Sequence, residues 1–274
     1  MDNSTLTSYL GRIGFEGPVA GDMPTLRQIV LRHVLSIPFE NIAAFTGQCV
    51  SLVPADVEAK LIGRRRGGWC FEQNLLLGSA LRALGFEVQD LAARVLWGRP
   101  ETARTARTHR LLRVVCGGHD FIADVGFGGL TTTGILALDT ALVQQTPHEP
   151  CRLRPLEDDL LLEAQVVEPA SGDARWLPLY RFNLQPQWPI DFEAANFQLA
   201  HDPKSHFVTG LAVARAVPEG RYSLRDRNLT FRSRGHSEQR RLADAADLRS
   251  TLEEIFGLDT ADMPGLEARF AALP

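Results

Sequence analysis

Residues 109–128 read HRLLRVVCGGHDFIADVGFG. Two apolar runs flank Gly117-Gly118, a pair that adopts positive φ without steric cost and so suits a two-residue hairpin loop. The stretch predicts a β-hairpin, with one strand ending at Cys116 and the other running from about Asp120 to Val125. The loop sets the register: Cys116 faces His119, Leu111 faces Asp124 and His109 faces Gly126. Side chains two apart share a face, so His109 and Asp124 become diagonal neighbours. Such neighbours lie about 7–8 Å apart at the backbone, within reach of a His–Asp hydrogen bond. A slip of one residue would put them on opposite faces. An acid inside FIADVGF needs a partner if it is buried; the competing reading is an exposed acid on an edge strand.

A histidine oriented by a carboxylate is a general base in search of a nucleophile. RRRGGWCFEQN, residues 64–74, offers one. Cys70 opens a helix-like run, where unpaired N–H groups and the helix dipole stabilise a thiolate. Gly67 and Gly68 let the backbone turn sharply and leave access to the sulfur, and Arg64, Arg65 and Arg66 add positive potential. The duller alternative is a buried structural thiol that happens to start a helix. The other histidines fit the base role less well. His33 sits in an apolar helix, His119 in a turn, and His148, His201, His206 and His236 in polar stretches. The constellation is nucleophile Cys70, base His109 and orienter Asp124.

The surrounding pattern divides in three. Residues 1–85 read as helices. Thr25 with Gln28 forms a capping box before LRQIVLRHVL, which Ser36-Ile37-Pro38 ends. A second helix covers Pro54 to Ile62. A third starts at Cys70, puts Leu77, Leu81 and Leu84 on one face and stops at Gly85. Residues 86–185 switch to short β-type runs (FEVQDLAARVLW, RLLRVV, FIADV, LLLEAQVV, WLPLYRF) separated by turns, as in a barrel or small sandwich. Residues 186–274 are mixed. A helix is centred on DFEAANF; strands follow in FVTGLAVARAV, YSLRD and LTFRSR, with a hairpin about Arg227-Asn228. The amphipathic helix DAADLRSTLEEIFGLD closes at Gly257. This is an α+β chain of segregated modules.

Composition excludes several classes. The net charge of −4 and pI near 6.0 disfavour a general nucleic-acid binder. Lys60 and Lys204 are the only lysines, so arginine carries the positive charge. Cys49, Cys70, Cys116 and Cys151 form no CxxC pair, which removes zinc spacing, and a disulfide framework is out of place in so long a chain. The N-terminus lacks the basic and apolar regions of a signal peptide, and no run reaches the ~18 apolar residues of a membrane span. The chain is expected in the cytoplasm, without a metal or a membrane partner.

The sequence resembles the arylamine N-acetyltransferases, of bacterial type. The resemblance is carried by RGGWCFEQN (66–74), THRLLRV (108–114) and DVGFGG (124–129). YLGRIG (9–14), PTL (24–26), IPFEN (37–41) and SHFVTGLAVAR (205–215) support it, in the family's order over most of residues 1–215. The resemblance implies a helical bundle (1–85) carrying the cysteine, a central antiparallel β-barrel (86–185) carrying the histidine and aspartate, and an α/β lid (186–274), around a papain-like cysteine catalytic core. It implies a ping-pong reaction: acetyl-CoA, the co-substrate, acetylates Cys70, and an arylamine, arylhydrazine or N-hydroxyarylamine takes the acetyl group, as in xenobiotic metabolism. No tightly bound cofactor is implied. His109 and Asp124 match the family's remaining triad positions. Phe39, Phe127 and Phe207 match its acceptor pocket. Gly126, Phe127, Gly128 and Gly129 match a loop beside the CoA pyrophosphate, where backbone N–H groups can meet phosphate oxygens. Glu40 and Arg66 are expected to pair beneath the site. After DVGFGG the family often carries prolines; here the run is LTTTGILAL, which bears on loop rigidity and acceptor preference.

Two other readings share these features. One is an ansamycin-type amide synthase using a carrier-bound acyl chain. Transglutaminases and papain-like proteases share the Cys, His, Asp/Asn order, but RGGxCxE and IPFEN argue against a protease. The other is a non-catalytic small-molecule binder on the same fold. The physiological amine, the acyl-chain preference and the choice between monomer and dimer are left open.

Overall fold

The computed structural model describes residues 1–169 and 171–274. The chain begins with helices α1 (Asn3–Arg12) and α2 (Met23–Ser36), a two-residue strand β1 (Phe39–Glu40), a short helix α3 (Ile42–Phe45), and α4 (Pro54–Glu58), which runs into a π-helical turn over Ala59–Gly63. The cap of α2 is Asp22, whose carboxylate accepts from Thr25 N at 3.0 Å. Thr25, expected as the cap, is the third helical residue. Asp22 is the stronger acceptor, and Pro24 suits the first turn because it needs no N–H there.

Helix α5 (Cys70–Ala83) is the centre of the molecule. Nearly every residue from Cys70 to Leu81 is buried, and Gly85 ends the helix at φ 86°. Its apolar side joins Leu76, Leu77 and Leu81 to Tyr9, Leu26, Ile29 and Val30 from the first two helices and to Leu112 and Val114 from the sheet beneath.

That sheet comprises β2 (Glu87–Val95), β3 (Arg107–Cys116), β4 (His119–Ala123), β5 (Leu136–Ala137), β6 (Cys151–Leu156), β7 (Asp159–Val167) and β8 (Ala174–Phe182), in the order β5-β4-β3-β2-β8-β7-β6. It curls into a nearly closed barrel. Gln144 bridges the gap: its backbone pairs with Cys151, while its side-chain amide bonds Ala137 N and O at 2.7 and 2.9 Å. Strands β3 and β4 form the expected hairpin. Gly117 and Gly118 both have positive φ, Cys116 faces His119 and Leu112 faces Ala123.

The remainder is helix α6 (Pro189–His201), a single turn α7 (His206–Thr209), strands β9 (Ala212–Val217), β10 (Gly220–Arg225), β11 (Asn228–Ser233) and β12 (His236–Arg241), and helices α8 (Ala245–Ser250) and α9 (Leu266–Ala271). The start of FVTGLAVARAV is therefore helical, not extended, because Ser205 caps it through Phe207 N. The expected hairpin turns at Asp226-Arg227, one residue earlier than read, since Arg225 pairs with Asn228. Strand β12 and helix α9 were not anticipated: HSEQRR is polar throughout and mostly exposed, so it carries no burial pattern. β1 adds to this second sheet, in the order β1-β9-β10-β11-β12. The IPFEN segment thus belongs to the C-terminal sheet by hydrogen bonding and to the catalytic loop by sequence.

Candidate active site

Cys70 stands at the first position of α5, and the two glycines before it are there for packing. A Cβ on Gly67 would lie 2.2 Å from Pro38 O, and one on Gly68 would lie 2.7 Å from Glu72 Oε2. Neither has positive φ. Close approach to IPFEN and to the helix's own first turn demands them, rather than access to sulfur. Gly68 N and O pair with Pro38 O and Glu40 N at 3.3 and 3.1 Å, so IPFEN and RGGWC form one two-stranded ledge. Arg66 Nη2 donates to Glu40 Oε1 at 2.9 Å, as expected. Lys60 Nζ joins them, 3.7 Å from Glu40 and 2.7 Å from Glu72. Burial pushes the Glu40 carboxyl up, but Arg66, Lys60 and Ile42 N–H outweigh it and hold the pKa below the usual value. In Glu72 burial wins and the pKa is raised.

FEQN explains how the helix start is fixed. Glu72 Oε2 accepts from Trp69 N at 3.2 Å, closing the helix's first turn. Gln73 accepts from His33 Nε2 at 2.7 Å and donates to Pro38 O at 2.8 Å and Gly68 O at 3.2 Å. Asn74 Nδ2 donates to Asp124 Oδ1 at 2.9 Å and to Arg110 O at 2.7 Å, and its Oδ1 accepts from Val125 N at 3.1 Å. Three consecutive buried polar residues tie the nucleophile's helix to the cap, the ledge and the barrel. Gln73 and Asn74 were missed as site residues. The signal was available: a polar triplet opening an otherwise apolar helix.

His109 Nε2 lies 2.7 Å from Asp124 Oδ2, both side chains almost fully buried. The β3–β2 ladder is irregular beside it: Ala93 pairs with His109 and Arg94 with Arg107, leaving Thr108 unpaired. This bulge turns Thr108 O toward Cys70, whose thiol donates to it at 3.7 Å. The sulfur also bonds the imidazole, as the causes of the histidine's shift show. With Nε2 committed to Asp124, Nδ1 is the ring nitrogen left for sulfur. Burial drives the His109 pKa down, but the Asp124 charge and hydrogen bond, together with Cys70, raise it to about 10. Asp124 is pushed up by burial and pulled lower overall by His109, Asn74 and Gly126 N–H. Tyr180 and Phe127 clamp the imidazole, with ring centroids 4.9 and 5.4 Å away.

The sequence-derived pocket residues gather at the same place. Phe39 and Phe207, 6.0 Å apart, pack on the cluster that holds Cys70. Phe127 covers His109, and all three phenylalanines are half-buried. Trp97, half exposed, meets Phe127 edge-on at 6.5 Å. The DVGFGG loop differs in detail from expectation. Gly126 N donates to Asp124 Oδ1 at 2.9 Å, and Gly128 N to Thr131 Oγ1 at 2.7 Å, so neither N–H is spare for a phosphate. Phe127 N and Gly129 N make no hydrogen bond among the described residues, and Gly129 faces open space. Threonines hold the loop: Thr132 Oγ1 donates to Asp124 O at 3.1 Å, and Thr133 meets Thr146 at 3.2 Å. Among the described residues no group of histidines, cysteines and acids could hold a metal, and no helix is long and apolar enough to cross a membrane.

An N-acetyltransferase family model matches residues 22–263. The arylamine N-acetyltransferase of Mycolicibacterium smegmatis is 44% identical over 97% of both chains. The chain belongs to the arylamine N-acetyltransferases. The Escherichia coli K12 enzyme of that name is 40% identical over 94% of this chain and 90% of its own. The solved structure of the Mycobacterium marinum arylamine N-acetyltransferase superposes with a TM-score of 0.92 at 40% identity, covering 97% of this chain and 98% of that one. The same protein in complex with CoA gives 0.91 at 39%. The α+β architecture with its papain-like core is thus that of solved arylamine N-acetyltransferases.

Proposed function

We propose that this protein transfers acetyl from acetyl-CoA to the nitrogen of arylamines, arylhydrazines or N-hydroxyarylamines, through a thioester on Cys70, with His109 as base and Asp124 as orienter. Family membership supports the reaction class over the amide-synthase and binder readings. The observation that carries the residue roles is the buried 2.7 Å contact of His109 Nε2 with Asp124, made by an imidazole that also bonds the Cys70 sulfur.

The steps follow from this arrangement. The thiol passes its proton to His109, whose raised pKa makes the thiolate–imidazolium pair favourable. Thiolate attacks the acetyl carbon, and the CoA thiolate leaves with the His109 proton. Thioester exchange is close to thermoneutral, so loading and unloading are both easy. Once Cys70 is acylated its charge is gone, and His109 loses one of the supports that raised it. It then returns to the neutral form, ready to take the proton from the attacking amine. Aromatic amines attack as neutral bases and suit a pocket of Phe39, Phe127 and Phe207. For CoA, the spare N–H groups of Phe127 and Gly129 fit an anionic ligand better than those of Gly126 and Gly128. We read the chain as three modules, 1–85, 86–185 and 186–274, with β1 reaching from the first into the third. The enzyme works in the cytoplasm, where acetyl-CoA is at hand.

Intact-protein mass spectrometry tests the reading. Acetyl-CoA alone is expected to add one acetyl to Cys70, and an arylhydrazine to remove it. Cys70→Ala should keep its melting temperature and lose both events. No adduct with acetyl-CoA, or turnover retained by Cys70→Ala, would overturn the assignment.

A further inference from the structure

Behind the catalytic ledge lies a cavity of about 180 Å³, lined by Cys49, Lys60, Arg64, Arg66, Glu72 and Asp262 among others. Cys49 is the exposed thiol of the four; Cys70, Cys116 and Cys151 are buried. The wall contains an unfinished donor. Arg66 is 6% exposed; its Nη2 serves Glu40 and its Nη1 serves Asp262 O at 3.2 Å, but its buried Nε has no partner among the described residues. A buried guanidinium N–H without an acceptor is costly and points to an occupant with an acceptor oxygen. Arg64, exposed on the same wall, makes no ion pair among the described residues. Two of the acids are already engaged: Asp56 takes the Ser51 hydroxyl at 2.6 Å, and Glu72 takes Lys60 and Trp69 N. Spare capacity in this cavity is therefore on the donor side, next to a reachable sulfur.

We propose that Cys49 is a modification site for a small carboxylate-bearing thiol, held as a mixed disulfide with its carboxylate on Arg66 Nε and Arg64. The Cys49 thiolate attacks one sulfur of the incoming disulfide. A new S–S bond forms, the old one breaks, and the other half leaves as thiolate; Cys49 is oxidised and the leaving half reduced. A carboxylate on Arg66 competes with Glu40 for the same guanidinium. That loosens the ledge ahead of Trp69 and slows acetylation of Cys70, a consequence that rests on the function proposed above.

The probes are dithiodiglycolate, which carries carboxylates, and cystamine, a disulfide of similar size that carries amines. Acetyl-CoA is added first, to shield Cys70 as its thioester. Adducts are located by peptide mapping, and each rate at Cys49 is divided by the rate at the same cysteine in urea-unfolded protein. The net charge of −4 favours the cationic probe everywhere, so a preference for dithiodiglycolate would come from the cavity. We expect it to react about tenfold faster on this scale, the factor of one charge-assisted hydrogen bond. Arg64→Ala should erase most of that preference, and the modified protein should transfer acetyl more slowly until dithiothreitol restores it. An equal or reversed preference, no adduct at Cys49, or an adduct without effect on transfer would overturn the proposal. If no acetyl appears on Cys70, the catalytic reading fails separately, and the two probe rates still decide the site.

Discussion

Gly126→Ala separates this account of the site from one in which DVGFGG is merely a flexible loop. The added Cβ would lie 2.5 Å from Cys70 Cα, 3.0 Å from Asn74 Nδ2 and 3.3 Å from Cys70 Cβ. Carbon atoms pack at about 3.5–4.0 Å, so loop and helix must part by roughly 1 Å. Both sides of that gap carry chemistry. Gly126 N–H holds Asp124 Oδ1, and Asn74 holds the same oxygen from the helix. Parting them moves Cys70 away from His109 and removes donors from the carboxylate together. Overpacking of this kind costs about 1–3 kcal/mol, roughly 3–10 °C in melting temperature for a chain of this size. A misplacement of about 1 Å between reacting groups costs on the order of a hundredfold in rate. The assay is single-turnover acetylation by acetyl-CoA, followed by mass, with a melting curve beside it. Gly129→Ala is the matched control: its Cβ meets nothing within 4 Å and its φ is not positive. It should melt within about 0.5 kcal/mol of the parent and acetylate normally. A Gly126→Ala enzyme that acetylates at the parent rate would refute the reasoning, whatever its melting temperature.

Asp124→Asn removes the charge that raises His109, leaving burial to pull the imidazole below its ordinary 6.5; iodoacetamide should then label Cys70 far more slowly at pH 7. The stability gained from His109 protonation is full below pH 6.5 and lost as pH rises through about 10, while that from the lowered Asp124 is present above 3.8 and lost on acidification. The parent should therefore melt higher at pH 6 than at pH 9 relative to the variant, and parallel pH profiles would contradict the pair. Arg66→Ala strands the buried Glu40 with Lys60 at 3.7 Å as its remaining cation and should cost about 3 kcal/mol, with acetylation lowered as well; unchanged melting and turnover would sink the ledge argument. Asn74→Ala should leave Cys70 reactive to iodoacetamide but slow acetylation, by freeing Asp124 to rotate and leaving Val125 N unpaired. Normal acetylation would show that His109 alone positions the carboxylate.

How much of this could be read in advance depended on how far apart in the chain the partners lie. His109 and Asp124 are fifteen residues apart within one hairpin, so turn chemistry and a period of two were enough to place them on one face. The helix start at Cys70 was equally local. Glu40 and Arg66 were paired from motif resemblance, because no local periodicity links a two-residue strand to a loop 26 positions on. The same distance hid the reason for the two glycines, which answer to Pro38 and to the helix they precede. It also hid the role of Asn74, whose partner is 50 residues away across the helix–barrel interface. The C-terminal sheet was least legible where it is least buried, since β12 has no apolar face to announce it. Burial patterns thus reveal elements, and turn chemistry reveals contacts within a hairpin. The polar triplet Glu72-Gln73-Asn74 is the exception that informs: three buried polar side chains in succession cannot all go unpaired, so their presence at the head of an apolar helix already required partners on three sides. The structure supplies them in the cap, the IPFEN ledge and the barrel strand after Asp124, and this three-way attachment fixes the sulfur against the imidazole.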